Sequence, residues 1–197
     1  MVPDMTKEIH RMWQAYNGLA FTFKDYGELN ITKYLDTYEW DQMMEAIDPA
    51  KFQERLKDVP VYNLVSSDDE FAMFDWTDIF YDKLEGESHV YIVPNTEHTM
   101  LTGIYSVLTK IGTWCRSLAA GIKERPTFSY KYEASNGTIT VTVPEGQVKP
   151  SKVLVRFGQT LSDKRRDFRW IVASDNGNCT WPLVAVKEDV SICLQPI

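Results

Sequence analysis

The chain has 197 residues, 44% hydrophobic and 25% charged, the composition of an ordinary globular protein with room for one large domain or two small ones. A formal net charge of -7 and a pI near 5.0 argue against nucleic-acid binding, because neutralising phosphates needs a basic face. No segment approaches the roughly 20 apolar residues that a membrane-spanning helix requires.

Met1–Met5 has neither the charged nor the apolar region of a secretory signal. The first element is a helix from Asp4 to about Leu19, with Met5, Ile9, Met12, Trp13 and Tyr16 on one face and Asp4 as its N-cap. After an aromatic-rich connection, Thr37 caps a second helix through Met44 and Ile47. Asp48-Pro49 then opens a short helix to about Leu56, with Asp as cap and Pro in the first turn. Val59–Val65 suits a buried strand, Phe74–Leu84 has helical spacing, His89–Val93 is a second buried strand, and Thr102–Ala120 is a long helix closed by Gly121. Strand, helix, strand, helix at this spacing predicts right-handed βαβ units in a parallel sheet. Two such strands do not make a sheet that buries both faces, so further strands are expected from a longer protein in which Met1 is not the true start.

Arg125-Pro126 marks the expected boundary between domains 1–124 and 125–197. Beyond it the apolar period becomes two: Thr127–Tyr132, then Asn136-Gly137 as a hairpin turn, then Thr138–Val143. Further strands are predicted at Lys152–Phe157, Phe168–Val172, Leu183–Val186 and Val190–Leu194. This pattern predicts a small antiparallel β-sandwich of immunoglobulin or fibronectin III character.

Chemistry is expected in loops at the carboxyl ends of parallel strands. One such loop holds Asp68, Asp69 and Glu70; the other holds Glu97 and His98, one strand–helix–strand unit later. A histidine there can act as a general base with a carboxylate fixing its tautomer, and acid before histidine is the chain order of α/β-hydrolases. The competing reading is an acidic N-cap cluster beside a surface histidine. No G-x-S-x-G elbow is present, so a nucleophile is absent from the chain. His10, His89 and His98 lack metal-ligand spacing, and no cofactor motif is present. Trp13, Trp40, Trp76 and Trp114 read as helix-face packing, Cys115 as a buried core thiol, and Lys164-Arg165-Arg166 as a solvated turn.

Sequons at Asn30, Asn136 and Asn178, all in apparent loops, favour a glycosylated, secreted protein. In an oxidising compartment Cys179 and Cys193 are the candidates for a disulfide within one domain.

Four segments stand out in chain order: Asp48-Pro49-Ala50-Lys51-Phe52-Gln53-Glu54-Arg55-Leu56, Ser67-Asp68-Asp69-Glu70-Phe71, Tyr91-Ile92-Val93-Pro94-Asn95-Thr96-Glu97-His98 and Arg166-Asp167-Phe168-Arg169. In this combination they resemble the PhoPQ-activated pathogenicity-related family, which is itself similar to relatives of the autocrine proliferation repressor, a secreted regulator of cell growth. The resemblance runs from Val2 to about Val172. It implies the C-terminal part of an α/β-hydrolase-like domain followed by a small β domain, with the nucleophile elbow in a missing upstream half. By the family's Gly-Asp-Glu-Phe pattern, Asp69 rather than Asp68 takes the acid position, with Asp68 standing where the glycine does. His98 takes the histidine position, with Thr99 in place of a small residue. Two functions follow as expectations: hydrolysis of an ester or amide in the longer protein, this chain alone being inactive, or recognition of a cell-surface receptor by a hydrolase fold without chemistry.

Overall fold

In the computed structural model, residues 3–160 are described, together with 163, 166, 168, 171–173, 183–185 and 194–195. They fall into two compact units, Met1–Leu108 with Gly158–Ile197, and Thr109–Phe157; Arg125-Pro126 lies inside the second.

The first unit is organised around α1 (Met5–Tyr16). The Asp4 carboxylate accepts from the Lys7 amide, and Asn17 closes the helix in the left-handed conformation. The apolar face of α1 buries Ile9, Met12 and Tyr16 with Leu19, Ala20, Phe23, Trp40 and Met44 in one cluster. Each fully buried large side chain in such a cluster contributes about 1.5–3 kcal/mol. Strand β1 (Leu19–Ala20) pairs antiparallel with Leu194–Gln195, and the short helix α2 (Lys24–Glu28) follows. Thr37 caps α3 (Tyr38–Ile47), accepting from the Trp40 amide, while the Trp40 indole N–H donates to Thr6 Oγ1 at 2.8 Å.

Asp48 does more than cap the next turn. Its carboxylate is buried and accepts from the amides of Asp4 (2.8 Å), Met5 (2.9 Å) and Ala50 (2.8 Å), fastening the start of α1 to the start of Pro49–Leu56. Pro49–Leu56 is a 3-10 helix rather than an α-helix.

Strands β2 (Val61–Ser66) and β3 (Ser88–Val93) pair in parallel, Val61 opposite Ser88 and Ser66 opposite Val93. The Tyr91 hydroxyl hydrogen-bonds Ser106 Oγ at 2.8 Å, so the first turn of α4 (Ile104–Ala119) covers that face. On the opposite face Val90 and Ile92 stay 36% and 42% exposed, as a sheet covered on one side only requires.

The helix predicted over Phe74–Leu84 is replaced by 3-10 turns at Thr77–Ile79 and Tyr81–Lys83. Met73 and Trp76 pack on the α1 cluster, Ile79 and Phe80 are both buried, and Arg11 grips Asp78 with two bonds of 2.7 and 2.6 Å. These demands point in several directions, and a straight helix presents only one apolar face.

In the second unit the hairpin forms as expected, β4 (Ser129–Glu133) against β5 (Thr138–Thr142). Its loop is one of four residues, with the Gly137 amide donating to Glu133 O at 2.9 Å and Gly137 at φ +69, which only glycine adopts without strain. Tyr130, Tyr132, Ile139 and Val141 share one hairpin face and are all more than half exposed. Lys152–Phe157 is not a strand: alternation alone makes no ladder without a neighbouring strand to bond. Cys115 is exposed, correcting its assignment to the core, because the apolar stripe of α4 that carries it (Ile111, Cys115, Leu118) has no cover within its own unit. The indole of Trp114 lies under the Arg125 guanidinium at 4.4 Å.

Beyond residue 160, β6 (Ile171–Ala173) and β7 (Leu183–Ala185) form an antiparallel pair. Asn178, Cys179 and Cys193 lie outside the described residues.

Candidate functional site

The parallel register of β2 and β3 brings their carboxyl ends level, so the loops that follow are neighbours. They are stitched together by backbone: Ser67 N donates to Val93 O and Asp68 N to Thr96 O, both at 3.0 Å. Ser66, fully buried at the end of β2, donates its hydroxyl to Glu97 O at 2.7 Å, and Asn95 N donates to Ser67 Oγ at 2.7 Å.

This scaffold presents Asp69 to His98. His98 Nδ1 lies 2.9 and 3.0 Å from the two Asp69 carboxylate oxygens. A carboxylate only accepts, so Nδ1 carries the proton and Nε2 is left as the basic nitrogen. The Asp69 side chain is 8% exposed and that of His98 38%. The Phe71 and Ala72 amides donate to Asp69 Oδ1 at 2.7 and 3.0 Å, fixing the carboxylate independently of the histidine. The Phe71 ring packs against the imidazole with centroids 4.8 Å apart. The hydrogen bond that His98 donates to Asp69 raises the His98 pKa above its ordinary value, and partial burial opposes it.

The other acids of the two loops have different work. Asp68 accepts from Ser67 Oγ at 3.1 Å, so Asp69 is the acid that meets the histidine. Burial raises the Glu70 pKa, while its carboxylate accepts from the His98 amide at 3.1 Å. Glu97 organises its own loop, accepting from Leu101 N at 3.0 Å, Thr102 Oγ1 at 2.8 Å and Thr99 Oγ1. Burial pushes its pKa up, but these donors outweigh burial and hold it at about 2. His10 pairs with Asp36 and His89 with Glu87, both away from this site.

Three contributors escaped the sequence reading. The Tyr16 hydroxyl donates to Asp69 O at 3.5 Å, bringing α1 into the wall of the site. Glu8, on the same helix, is also buried. Arg166, expected in a solvated turn, instead donates from its backbone to Ala15 O at 3.0 Å and from its guanidinium to Asp75. With Tyr16, Asp68, Asp69, Met73 and Phe168 it lines a shallow surface cleft. The Arg166-Asp167-Phe168-Arg169 motif was the available signal for that docking.

Residues 1–169 match the PhoPQ-activated pathogenicity-related protein family. The chain belongs to that family. It is also 32% identical over 197 residues to autocrine proliferation repressor protein A of Dictyostelium discoideum, covering 97% of this chain and 39% of the relative. The chain thus spans about two fifths of the curated relative it matches. No solved structure matches this member of the PhoPQ-activated pathogenicity-related family. The match covers α1, both loops of the Asp69–His98 site and Arg166.

Proposed function

We propose that Asp69 and His98 are the acid and base of a hydrolytic triad in a longer, α/β-hydrolase-like protein, with the nucleophile supplied by sequence outside this chain. The observation that carries this reading is the buried Asp69 carboxylate held on His98 Nδ1 and on two loop amides, at the carboxyl ends of adjacent parallel strands. In the complete protein His98 Nε2 takes the proton of a serine hydroxyl as its oxygen attacks an ester or amide carbonyl. The imidazolium, stabilised by Asp69, then returns that proton to the leaving group, and water repeats the cycle to free the acid. This chain alone has no covalent route and is inactive as an esterase. On this reading residues 125–197 belong to a small antiparallel β domain of immunoglobulin or fibronectin III character, a proposal that the β4–β5 hairpin supports.

The test is a chromogenic short-chain ester assay on the full-length protein, with fluorophosphonate labelling to find the serine. His98→Ala and Asp69→Asn are expected to lower kcat by about 10²-fold or more. No labelling and no hydrolysis, or full activity in His98→Ala, refutes the proposal.

A second reading, a secreted signalling protein that recognises a cell-surface receptor without chemistry, is favoured by the exposed sequons Asn30 and Asn136 and by the name of the curated relative. Its expected result is a glycosylated form in the culture medium, with cell binding that survives Asp69→Ala and His98→Ala. A protein retained in the cell without glycan rules it out.

A further inference from the structure

Three consecutive residues of the loop after β2 touch His98. Asp69 holds its Nδ1 through both carboxylate oxygens at 2.9 and 3.0 Å, Glu70 Oε2 accepts from its backbone amide at 3.1 Å, and the Phe71 ring packs on its imidazole with centroids 4.8 Å apart. The loop that makes these contacts is closed on itself, because Asp69 Oδ1 also accepts from the Phe71 and Ala72 amides. Asp69 and Phe71 act on the ring. Glu70 is the member that holds the main chain.

That grip falls where the other bonds between the two loops stop. Among the described residues, Ser66, Ser67 and Asp68 hold the loop after β3 at Val93 O, Asn95 N, Thr96 O and Glu97 O. On the far side, the Glu97 carboxylate gathers Thr99, Leu101 and Thr102, all of its own loop. Neither set takes hold of the His98 amide. A hold at Nδ1 alone fixes one end of the ring and leaves the side chain free to turn about it; a second hold at the backbone removes that freedom. Glu70 is half-buried and its acceptor is a carboxylate, so the bond is stronger than one between neutral groups.

We infer that Glu70 is a positioning residue for the Asp69–His98 pair: its carboxylate holds the His98 main chain against the loop after β2, so that the imidazole meets Asp69 with Nδ1 and keeps Nε2 for proton transfer. The two neighbouring acids divide the work. Asp69 selects the tautomer, and Glu70 fixes the place from which the ring is presented. The inference rests on the reading of Asp69 and His98 as an acid–base pair and adds the residue that holds the pair together.

The test is nuclear magnetic resonance on this chain, labelled with ¹⁵N, beside Glu70→Ala, which removes the acceptor, and Glu70→Gln, which keeps an acceptor oxygen without the charge. The His98 ring-nitrogen shifts at alkaline pH report the tautomer of the neutral imidazole, and deuterium exchange at neutral pH reports the hold on its amide. The unmodified chain is expected to carry the proton on Nδ1 and to protect the amide. Glu70→Ala is expected to mix the Nδ1–H and Nε2–H forms and to speed exchange of the His98 amide by about tenfold or more. Glu70→Gln is expected to keep the Nδ1–H form and most of the protection. An unprotected His98 amide in the unmodified chain overturns the inference without any variant. A Glu70→Ala chain that keeps a pure Nδ1–H form overturns it as well, since Asp69 then positions the ring unaided. So does a Glu70→Gln chain that behaves like Glu70→Ala, which assigns the effect to charge rather than to the contact. Loss of the folded Trp40 indole resonance in Glu70→Ala also counts against it, by making Glu70 a residue of the fold rather than of the histidine. A failed ester assay on the full-length protein sinks the hydrolase reading and leaves these measurements standing, so the two failures are distinguishable.

Discussion

Replacing Asp48 by Ala is the sharpest test of how this fold holds its site. Asp48 is 4% exposed, and its carboxylate accepts from three backbone amides: Ala50 locally, and Asp4 and Met5 more than forty residues away in sequence. Loss of the N-cap at Ala50 costs about 1 kcal/mol. Each of the two long-range bonds to a charged acceptor contributes about 1.5–3 kcal/mol where the amide stays buried. Asp4 and Met5 are only partly buried, so water recovers some of that, and the net loss is about 3 kcal/mol. Urea unfolding at pH 7, followed by tryptophan fluorescence, reads this directly, because Trp40 sits in the core that α1 and α3 share. Asp48→Asn keeps one neutral acceptor and is expected to lose less than half as much. A loss below about 1 kcal/mol for Asp48→Ala would refute the argument that one carboxylate fastens α1 to the Pro49 turn. The same variant should disturb Tyr16, whose contact with Asp69 O depends on where α1 begins.

Other measurements bear on the loops. A methyl group at Gly103 would lie 2.5 Å from Thr96 Oγ1 and 2.6 Å from Val93 Cγ1, so Gly103→Ala is expected to cost about 1–3 kcal/mol in urea unfolding and to shift the His98 ring resonances. His98 and Glu8 both have folded pKa values raised above their unfolded ones. Their contributions are therefore complete below the unfolded values, and stability declines as pH rises toward about 8 and through the folded His98 value. Glu8→Gln should flatten that decline and be more stable at pH 7 by on the order of 2–3 kcal/mol; an equally steep profile in the variant contradicts the assignment. Glu97 has the opposite sign: held near 2, it stabilises above its ordinary value and fails as pH falls toward 2, so Glu97→Gln should blunt acid unfolding. Arg11→Ala, which removes a largely exposed ion pair with Asp78, is expected to cost no more than about 1 kcal/mol by thermal unfolding.

Local chemistry was legible without coordinates. The apolar face of α1, the Thr37 cap on α3, the two short apolar strands and the Asn-Gly hairpin each follow from spacing and from residues with a single strong preference. The chain order of Asp69 and His98 on consecutive parallel strands also made their meeting an expectation. Where neighbours decide, sequence spacing failed. Phe74–Leu84 has helical periodicity, yet core contacts from Met73, Trp76, Ile79 and Phe80 and the Arg11 clamp break it into turns. Cys115 occupies an apolar stripe, but whether a stripe is buried depends on a partner surface that its own periodicity does not contain. Asp48 announced itself as a cap; that it also binds Asp4 and Met5 required the fold to bring residues over forty positions apart within hydrogen-bonding distance. Glu8 is the clearest case. As a residue it is an ordinary helix-forming acid, and only burial in the folded chain, with Asp69, Asp4 and Asp78 acting in the same direction, pushes its pKa up to about 8.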